Sequence, residues 1–188
     1  MKKPKSVALL AGGKLSSSPL ARFWLLPEML GPVQASSYRL ASRIANSLRA
    51  GHPVQDYTEF EACRLIVISV PDGALTGALD QLRSAEISWP GKSVLLCSGS
   101  RGSLDLREFS LRGASVASLT AIPGFQDLRY LLEGDKRAVQ DSRHLVEHRE
   151  QRCVVIERDL KPLYLAALTC TGSWWRPSMR ESSGCDVC

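Results

Sequence analysis

The stretch "LIVISVPDGALTGALDQL", residues 65–82, decides how this chain folds. Residues 65–70 are apolar apart from Ser69, and such a run is typical of a strand that helices cover on both faces. Pro71 ends the strand, because it has no amide proton for a sheet hydrogen bond. From Gly73 to Arg83, apolar residues recur every three or four positions, which predicts a helix. A strand followed by a helix is the repeating unit of a parallel α/β fold.

The same alternation extends in both directions to about residue 158. Strands are predicted at Ser6–Leu10, Pro32–Ser36, Leu65–Val70, Ser93–Cys97, Ser115–Leu119 and Cys153–Glu157, with a further candidate at Tyr130–Glu133. Helices are predicted at Tyr38–Arg49, Gly73–Arg83, Ser103–Leu111 and Lys136–His148. A less regular helix should start at Pro19 and end at Pro27. The pattern predicts an α/β fold, a Rossmann-type three-layer sandwich with a mostly parallel sheet.

The pattern changes after residue 158. The segment "RDLKPLYLAALTCTGSWW", residues 158–175, offers Asp159 as an N-cap and continues as a helix that is apolar nearly all round. We expect residues 1–158 to form one Rossmann-like domain. Residues 159–188 should form the first helix of a truncated, all-helical C-terminal domain, followed by a disordered tail. An apolar helix needs a partner, so we also expect a homodimer formed through this helix.

Composition argues against several classes of partner. The net charge is +5, but Lys and Arg alternate with Asp and Glu, so a nucleic-acid partner is not expected. No segment approaches the roughly 20 apolar residues of a membrane span. The apolar run after the basic start is too short for an export signal, so we expect a cytoplasmic location. In that location the six cysteines, which lie mainly in apolar runs, should be free thiols. Cys185 and Cys188 form a lone CxxC pair, which is weak evidence for zinc, and no metal is expected.

The turn after the first strand resembles a dinucleotide-binding loop that has lost glycines. In "VALLAGGKLSSSPLARF", residues 7–23, the G-x-G-x-x-G pattern falls on Ala11, Gly13 and Ser16. Gly13 takes the position where the backbone approaches the pyrophosphate. The residues expected to bind the cofactor here are Ala11, Gly12, Gly13, Lys14 and Leu15. The alternative is a plain Gly-Gly turn that joins a strand to a helix.

The end of the second strand indicates which dinucleotide would bind. Sites for NAD usually have an acidic residue here for the ribose 2′-hydroxyl, whereas NADP sites have small polar residues and an arginine. This chain has Ser36, Ser37 and Arg39 and no acid. The pattern favours NADP over NAD as the cofactor. The alternatives are a helix N-cap for the serines and a solvated surface charge for Arg39.

Five segments carry a resemblance to a known family. They are "LIVISVPDGALTGALDQL", "VLLCSGSRGSLDL", "GASVASLTAIPGF", "YLLEGD" and "DLKPLYLAALTCTGS". In order and spacing the chain resembles, over about residues 5–173, bacterial Rossmann-like proteins with a C-terminal domain of unknown function. These are relatives of NADP-dependent β-hydroxyacid and 6-phosphogluconate dehydrogenases and of pyrroline-5-carboxylate reductases. The resemblance implies an NADP-dependent oxidoreductase that transfers a hydride to or from a small carbonyl or imine substrate.

The resemblance also implies site residues. Val70, Pro71 and Asp72 follow one strand, and Ser98 and Gly99 follow the next, at the strand ends where such sheets bind ligands. Asp72 would contact the cofactor or, alternatively, cap the following helix. Ser98 and Gly99 would position a carbonyl oxygen, the alternative being a plain turn.

The predicted proton donors lie on the C-terminal helix. Relatives place a catalytic lysine there, which makes Lys161 a candidate donor and Tyr164 the second one, while an ordinary surface lysine is the alternative. Relatives of this kind also carry histidines where this chain has Leu96, Thr120 and Leu165. Their loss removes the commonest acid–base group. It supports the alternative function of a non-catalytic nucleotide-binding or structural Rossmann-like protein.

Overall fold

A computed structural model describes residues 6–13, 19–23, 25–122, 128–147 and 151–172. The strands are β1 (Val7–Ala11), β2 (Leu30–Gln34), β3 (His52–Pro53), β4 (Leu65–Ser69), β5 (Ser93–Cys97), β6 (Ser115–Ile122), β7 (Leu128–Gly134) and β8 (Gln151–Val155). The helices are α1 (Leu26–Met29), α2 (Tyr38–Leu48), α3 (Asp72–Ser84), α4 (Arg107–Leu111), α5 (Lys136–Val146) and α6 (Lys161–Gly172). The predicted site residues Lys14 and Leu15 and the predicted tail beyond Gly172 lie outside the described residues.

The eight strands form one sheet in the order β3-β2-β1-β4-β5-β6-β7-β8. All neighbouring strands run parallel except β6 and β7, which pair antiparallel. This confirms the predicted α/β fold with a mostly parallel, Rossmann-like sheet. The chain order reverses between β1 and β4, because β2 and β3 extend the sheet on one side of β1 while β4 and β5 extend it on the other. Such a reversal opens a crevice at the carboxyl ends of the two strands.

The core explains why the central strands read as continuous apolar runs. Every residue of β1, β4 and β5 is buried. Alternate residues face two separate apolar clusters, so that Leu9 and Val67 belong to one and Ile66 and Leu96 to the other. Helices on both faces of the sheet complete the three layers, which is the arrangement that the apolar strands required.

The structure corrects several predicted boundaries. The helix predicted at Ser103–Leu111 divides into a 3₁₀ turn, Ser103–Leu106, and α4. Pro27 lies in the first turn of α1 instead of ending a helix, because a first turn has no use for the missing amide proton. The C-terminal helix begins at Lys161, after a 3₁₀ turn at Arg158–Leu160. No helix within the described ranges is long and apolar enough to cross a membrane.

Candidate functional site

The sheet topology brings the predicted cofactor residues to one edge. Parallel strands end at the same edge, and β2, β1, β4 and β5 are neighbours in that order. The segments that follow them therefore line the crevice at the reversal between β1 and β4. These segments are Gly12–Gly13, Ala35–Arg39, Val70–Asp72 and Ser98–Gly99.

The turn after β1 needs glycine because of a residue on the neighbouring segment. The amide of Gly12 donates to the carbonyl of Ser69, 2.9 Å away. Gly13 is exposed and has φ of +72°, in the left-handed region. A Cβ on Gly13 would lie 2.8 Å from Cγ of Pro71. The packing of Pro71 against the turn thus excludes side chains at Gly13 and leaves its backbone open to a ligand.

The three predicted residues after β2 are all exposed, and one of them caps α2. Ser37 is the N-cap of α2, and its Oγ accepts from the amide of Leu40 at 3.3 Å. Ser36 and Arg39 are exposed at the same strand end. The guanidinium of Arg39 is therefore accessible to an anionic ligand at this edge.

Asp72 ties the turn after β5 to the start of α3. Its carboxylate accepts hydrogen bonds from Ser98 Oγ at 2.9 Å and from Ser100 Oγ, and it makes no side-chain cap of α3. Ser98 Oγ also accepts from the amides of Ser100, at 3.1 Å, and Arg101, at 3.0 Å. The hydroxyl of Ser98 is thus occupied in holding its own turn, whereas Gly99 has open space around it.

The hydrogen bonds that Asp72 accepts from Ser98 and Ser100 predict a pH-dependent effect on stability. The hydrogen bond from Ser100 is the main cause that lowers the pKa of Asp72. A carboxyl whose folded pKa is depressed stabilises the fold above its unfolded pKa of about 3.9, and this contribution disappears as the pH falls through the folded pKa. We expect Asp72→Asn to reduce the free energy of unfolding at pH 7 more than at pH 3. Urea titrations at both pH values would measure this, with exposed Glu86→Gln as the control. An equal loss of unfolding free energy at both pH values would contradict a stabilising role for the Asp72 carboxylate.

A pocket of about 160 Å³ lies beside the turn after β5. It is lined by Ser100, Arg101, Gly102, Ser103, Leu104, Asp105, Glu133, Arg158, Lys161, Pro162 and Leu165. Lys161 is 2% exposed, which excludes the ordinary surface lysine considered from the sequence. Tyr164 is 43% exposed, so the two predicted proton donors are in different environments.

A buried polar network surrounds Lys161. Its Nζ donates to Ser118 Oγ, and Ser118 Oγ in turn donates to Glu133 Oε1. Glu133 also accepts from the amide of Ser103 at 2.7 Å and from Ser103 Oγ at 2.5 Å. The distance from Lys161 Nζ to Glu133 Oε1 is 3.9 Å. Burial lowers the pKa of Lys161, and the nearby Glu133 carboxylate opposes that shift.

Sequence reasoning missed Ser103, Ser118 and Glu133. The available signal was Glu133 itself, a charged residue at the end of the apolar run of β7, since buried carboxylates are rarely left without partners.

Thr120 and Leu165 stand at two of the positions where relatives carry histidine, and the two side chains make different contacts. Thr120 Oγ1 donates to the carbonyl of Ser98 at 2.7 Å, and Leu165 lines the pocket. Among the residues the structure describes, no three side chains form a metal-binding group.

Comparison with known proteins identifies the fold. No family model and no curated protein matches this sequence. An imine reductase variant from Myxococcus stipitatus, solved with NAD+, superposes with a TM-score of 0.68 at 16% identity. The alignment covers 92% of this chain and 62% of that one. The same organism's imine reductase with NADP+ gives 0.67 at 15% identity, over 90% of this chain and 61% of that one.

A reductive aminase from Aspergillus terreus, solved with NADPH and ethyl levulinate, is similar in the same way. Its TM-score is 0.65 at 15% identity, and the alignment covers 92% of this chain and 62% of that one. The chain thus has the same Rossmann-like fold as these structures. It spans about three fifths of the length of these structures.

Proposed function

We propose that this chain is the nucleotide-binding part of an NADP-dependent oxidoreductase that acts on a small carbonyl or imine compound. The observation that carries the proposal is the buried Lys161 in a pocket beside the turn that follows β5. The structural neighbours bind NADP+, NADPH or NAD+, which supports a nicotinamide cofactor at the same strand ends. We assign residues 1–158 to this part, and we propose that α6 (Lys161–Gly172) is the first helix of a second, helical domain.

The residues at the carboxyl edge fit the cofactor. The turn at Gly12 and Gly13, of which Gly13 is exposed, would receive the pyrophosphate, together with Ala11, Lys14 and Leu15. Ser36, Ser37 and Arg39 would receive the 2′-phosphate, because the edge offers a cation there. Val70, Pro71, Asp72, Ser98 and Gly99 would lie along the nicotinamide. When bound, the cofactor supplies or accepts the hydride.

Lys161 is our choice of proton donor. Its ammonium has three N–H donors, of which one is used on Ser118 among the described residues. The lowered pKa makes this ammonium a better acid than an exposed one. Tyr164 is the second candidate, but its exposure of 43% places it at the surface. A positioned general acid contributes about 10²–10⁴-fold to rate.

The choice of NADP predicts a selective effect at Arg39. We expect Arg39→Gln to weaken NADPH binding about 10- to 100-fold, because a hydrogen bond to a charged group contributes about 1.5–3 kcal/mol. NADH affinity should be unchanged, since NADH has no 2′-phosphate. Isothermal titration with both nucleotides would measure this, and exposed Arg43→Gln, one turn further along α2, is the matched control. Equal affinity of the wild-type protein for the two nucleotides would contradict an NADP site.

Turnover separates the proposal from its alternative. We expect NADPH oxidation with at least one member of a panel of aldehydes, keto acids and cyclic imines. Saturable NADPH binding without turnover by the chain or by a longer form would favour a non-catalytic nucleotide-binding protein. Absence of both would favour a structural one.

The exposed face of α6 supports self-association. Leu163 on α6 is 65% exposed and Leu160, in the 3₁₀ turn just before α6, is 39% exposed, and large apolar side chains grouped at a surface usually contact a partner. We propose that two copies associate through α6. We expect Leu163→Gln to weaken the dimer at least about tenfold, since burying a leucine contributes about 1.5–3 kcal/mol.

Sedimentation equilibrium would measure the dissociation constant. Leu111→Gln is the matched control, because Leu111 is similarly exposed, at 76%, and lies on α4. A wild-type monomer at every concentration tested would contradict the proposed dimer.

A further inference from the structure

We propose that Glu133 is a positioning residue that acts through Ser118 to keep Lys161 charged and directed at the pocket. The inference rests on the proposed function for the use of that proton. It assigns a role to two residues that the family resemblance did not indicate. Neither of them is a candidate to touch the cofactor.

The sheet places the two residues together. Ser118 on β6 and Glu133 on β7 are directly opposite each other in the antiparallel pair. Side chains of such a cross-strand pair lie on the same face of the sheet, with Cβ atoms about 5 Å apart. Both are almost fully buried, at 0% and 1% exposed. This explains why the Ser118 hydroxyl reaches the Glu133 carboxylate on one side and the Lys161 ammonium on the other.

The carboxylate is itself firmly held. Three donors converge on it, namely the amide and hydroxyl of Ser103 and the hydroxyl of Ser118. Ser103 begins the 3₁₀ turn that follows the Ser98 turn, so Glu133 connects β7 to the loop that borders the pocket. An acceptor held by three donors cannot swing away, and it therefore determines where Ser118 and Lys161 lie.

The charges around Lys161 make Glu133 the main counter-ion. Asp105 is the other carboxylate that favours the charged form of Lys161, but it also accepts a hydrogen bond from the Arg101 guanidinium. Burial raises the pKa of Cys97 to about 12, so this neighbour is a neutral thiol. Arg158 Nε lies 3.8 Å from Glu133, and the same guanidinium donates to Asp135 at 2.6 Å. Without Glu133, a dry site would favour the neutral amine, which has no proton to give at that point of the reaction.

The pH dependence of Lys161 acetylation tests the proposal without cofactor or substrate. The full chain is treated with trace acetic anhydride between pH 6 and 11, and mass spectrometry gives the extent of modification at Lys161 and at exposed Lys136. Only the neutral amine reacts, so the midpoint reports the proton affinity of each lysine. In Glu133→Gln we expect the Lys161 midpoint to fall by one pH unit or more, with that of Lys136 unchanged. Glu133→Asp should restore most of the difference.

Two further variants keep the test decisive. Exposed Glu157→Gln removes a nearby surface carboxylate and should leave the midpoint in place. Ser118→Ala removes one acceptor of the ammonium with little change in volume, and should lower the midpoint by about half a unit even where Glu133→Gln does not fold. A Lys161 midpoint that is unchanged in Ser118→Ala or in folded Glu133→Gln would overturn the proposal.

The same experiment separates a failure of this inference from a failure of the proposed function. A Glu133 side chain that contributed only packing and its hydrogen bonds to Ser103 would change thermal stability without moving the labelling midpoint. If the protein does not bind NADPH but shows the expected midpoints, the role of Glu133 stands and the proposed redox function is wrong. If the protein binds NADPH and reduces a substrate but the midpoints are unchanged in the variants, the proposed redox function stands and the role of Glu133 is wrong.

Discussion

Replacing Lys161 with methionine should reduce the free energy of unfolding by about 3–5 kcal/mol, the usual cost of removing one partner of a buried ion pair. The substitution removes the ammonium that lies 3.9 Å from Glu133 and leaves the carboxylate charge buried, with neutral donors and Arg158, whose Nε lies 3.8 Å away, to stabilise it. Methionine has a similar length and flexibility, so a packing defect contributes little. Urea unfolding followed by circular dichroism would measure the change.

A double variant and a matched control identify the cause. Lys136→Met removes an exposed lysine at the start of α5 and should change stability by no more than about 0.5 kcal/mol. Adding Glu133→Gln to Lys161→Met removes the buried carboxylate charge that has lost its lysine partner, and should recover about half of the loss or more, because the two side chains belong to one network. Additive losses in the double variant would contradict the pairing of Lys161 with Glu133.

Replacing Gly134 with alanine should destabilise the protein by at least about 3 kcal/mol, since it combines backbone strain with overpacking. Gly134 has φ of +139°, a conformation that side-chain-bearing residues rarely adopt. A Cβ there would lie 2.3 Å from the carbonyl oxygen of Val116 and 2.5 Å from Cα of Ala117. Both atoms belong to the backbone of β6, so the antiparallel pair itself would have to separate, and with it the contact between Ser118 and Glu133.

Gly77→Ala is the control for this prediction. Gly77 lies in the interior of α3, and nothing is within 4 Å of a Cβ built on it. Alanine is the better helix former by about 1 kcal/mol, so this variant should be neutral or more stable than the wild type. The two substitutions add the same methyl group with opposite expected signs. Thermal unfolding that shows equal effects for both would mean that β6 and β7 do not approach as closely as the structure has them.

The location of the candidate site was the part that the sequence predicted most clearly. Short apolar runs followed by Gly, Pro or Ser marked the ends of β1, β4 and β5, and the resemblance drew attention to Lys161. The reason that Gly13 must be glycine was not visible, because it depends on Pro71, which is distant in sequence and adjacent only in the sheet. The predicted roles of Ser98 and Gly99 toward a substrate carbonyl stay predictions. The structure shows that Asp72 and two amides already use the Ser98 hydroxyl.

The sequence by itself determined the order and type of the main strands and helices, because the period of apolar residues is a local property that burial on one or two faces imposes. The sequence did not predict the two-residue strand β3 or the division of the helix at Ser103–Leu111, since short elements contain too few residues to show a period. Only the tertiary structure decided that Lys161 is buried and that Ser103, Ser118 and Glu133 surround it. Those contacts join residues from four separate elements, and strand register and the docking of α6, which no local pattern encodes, bring them together.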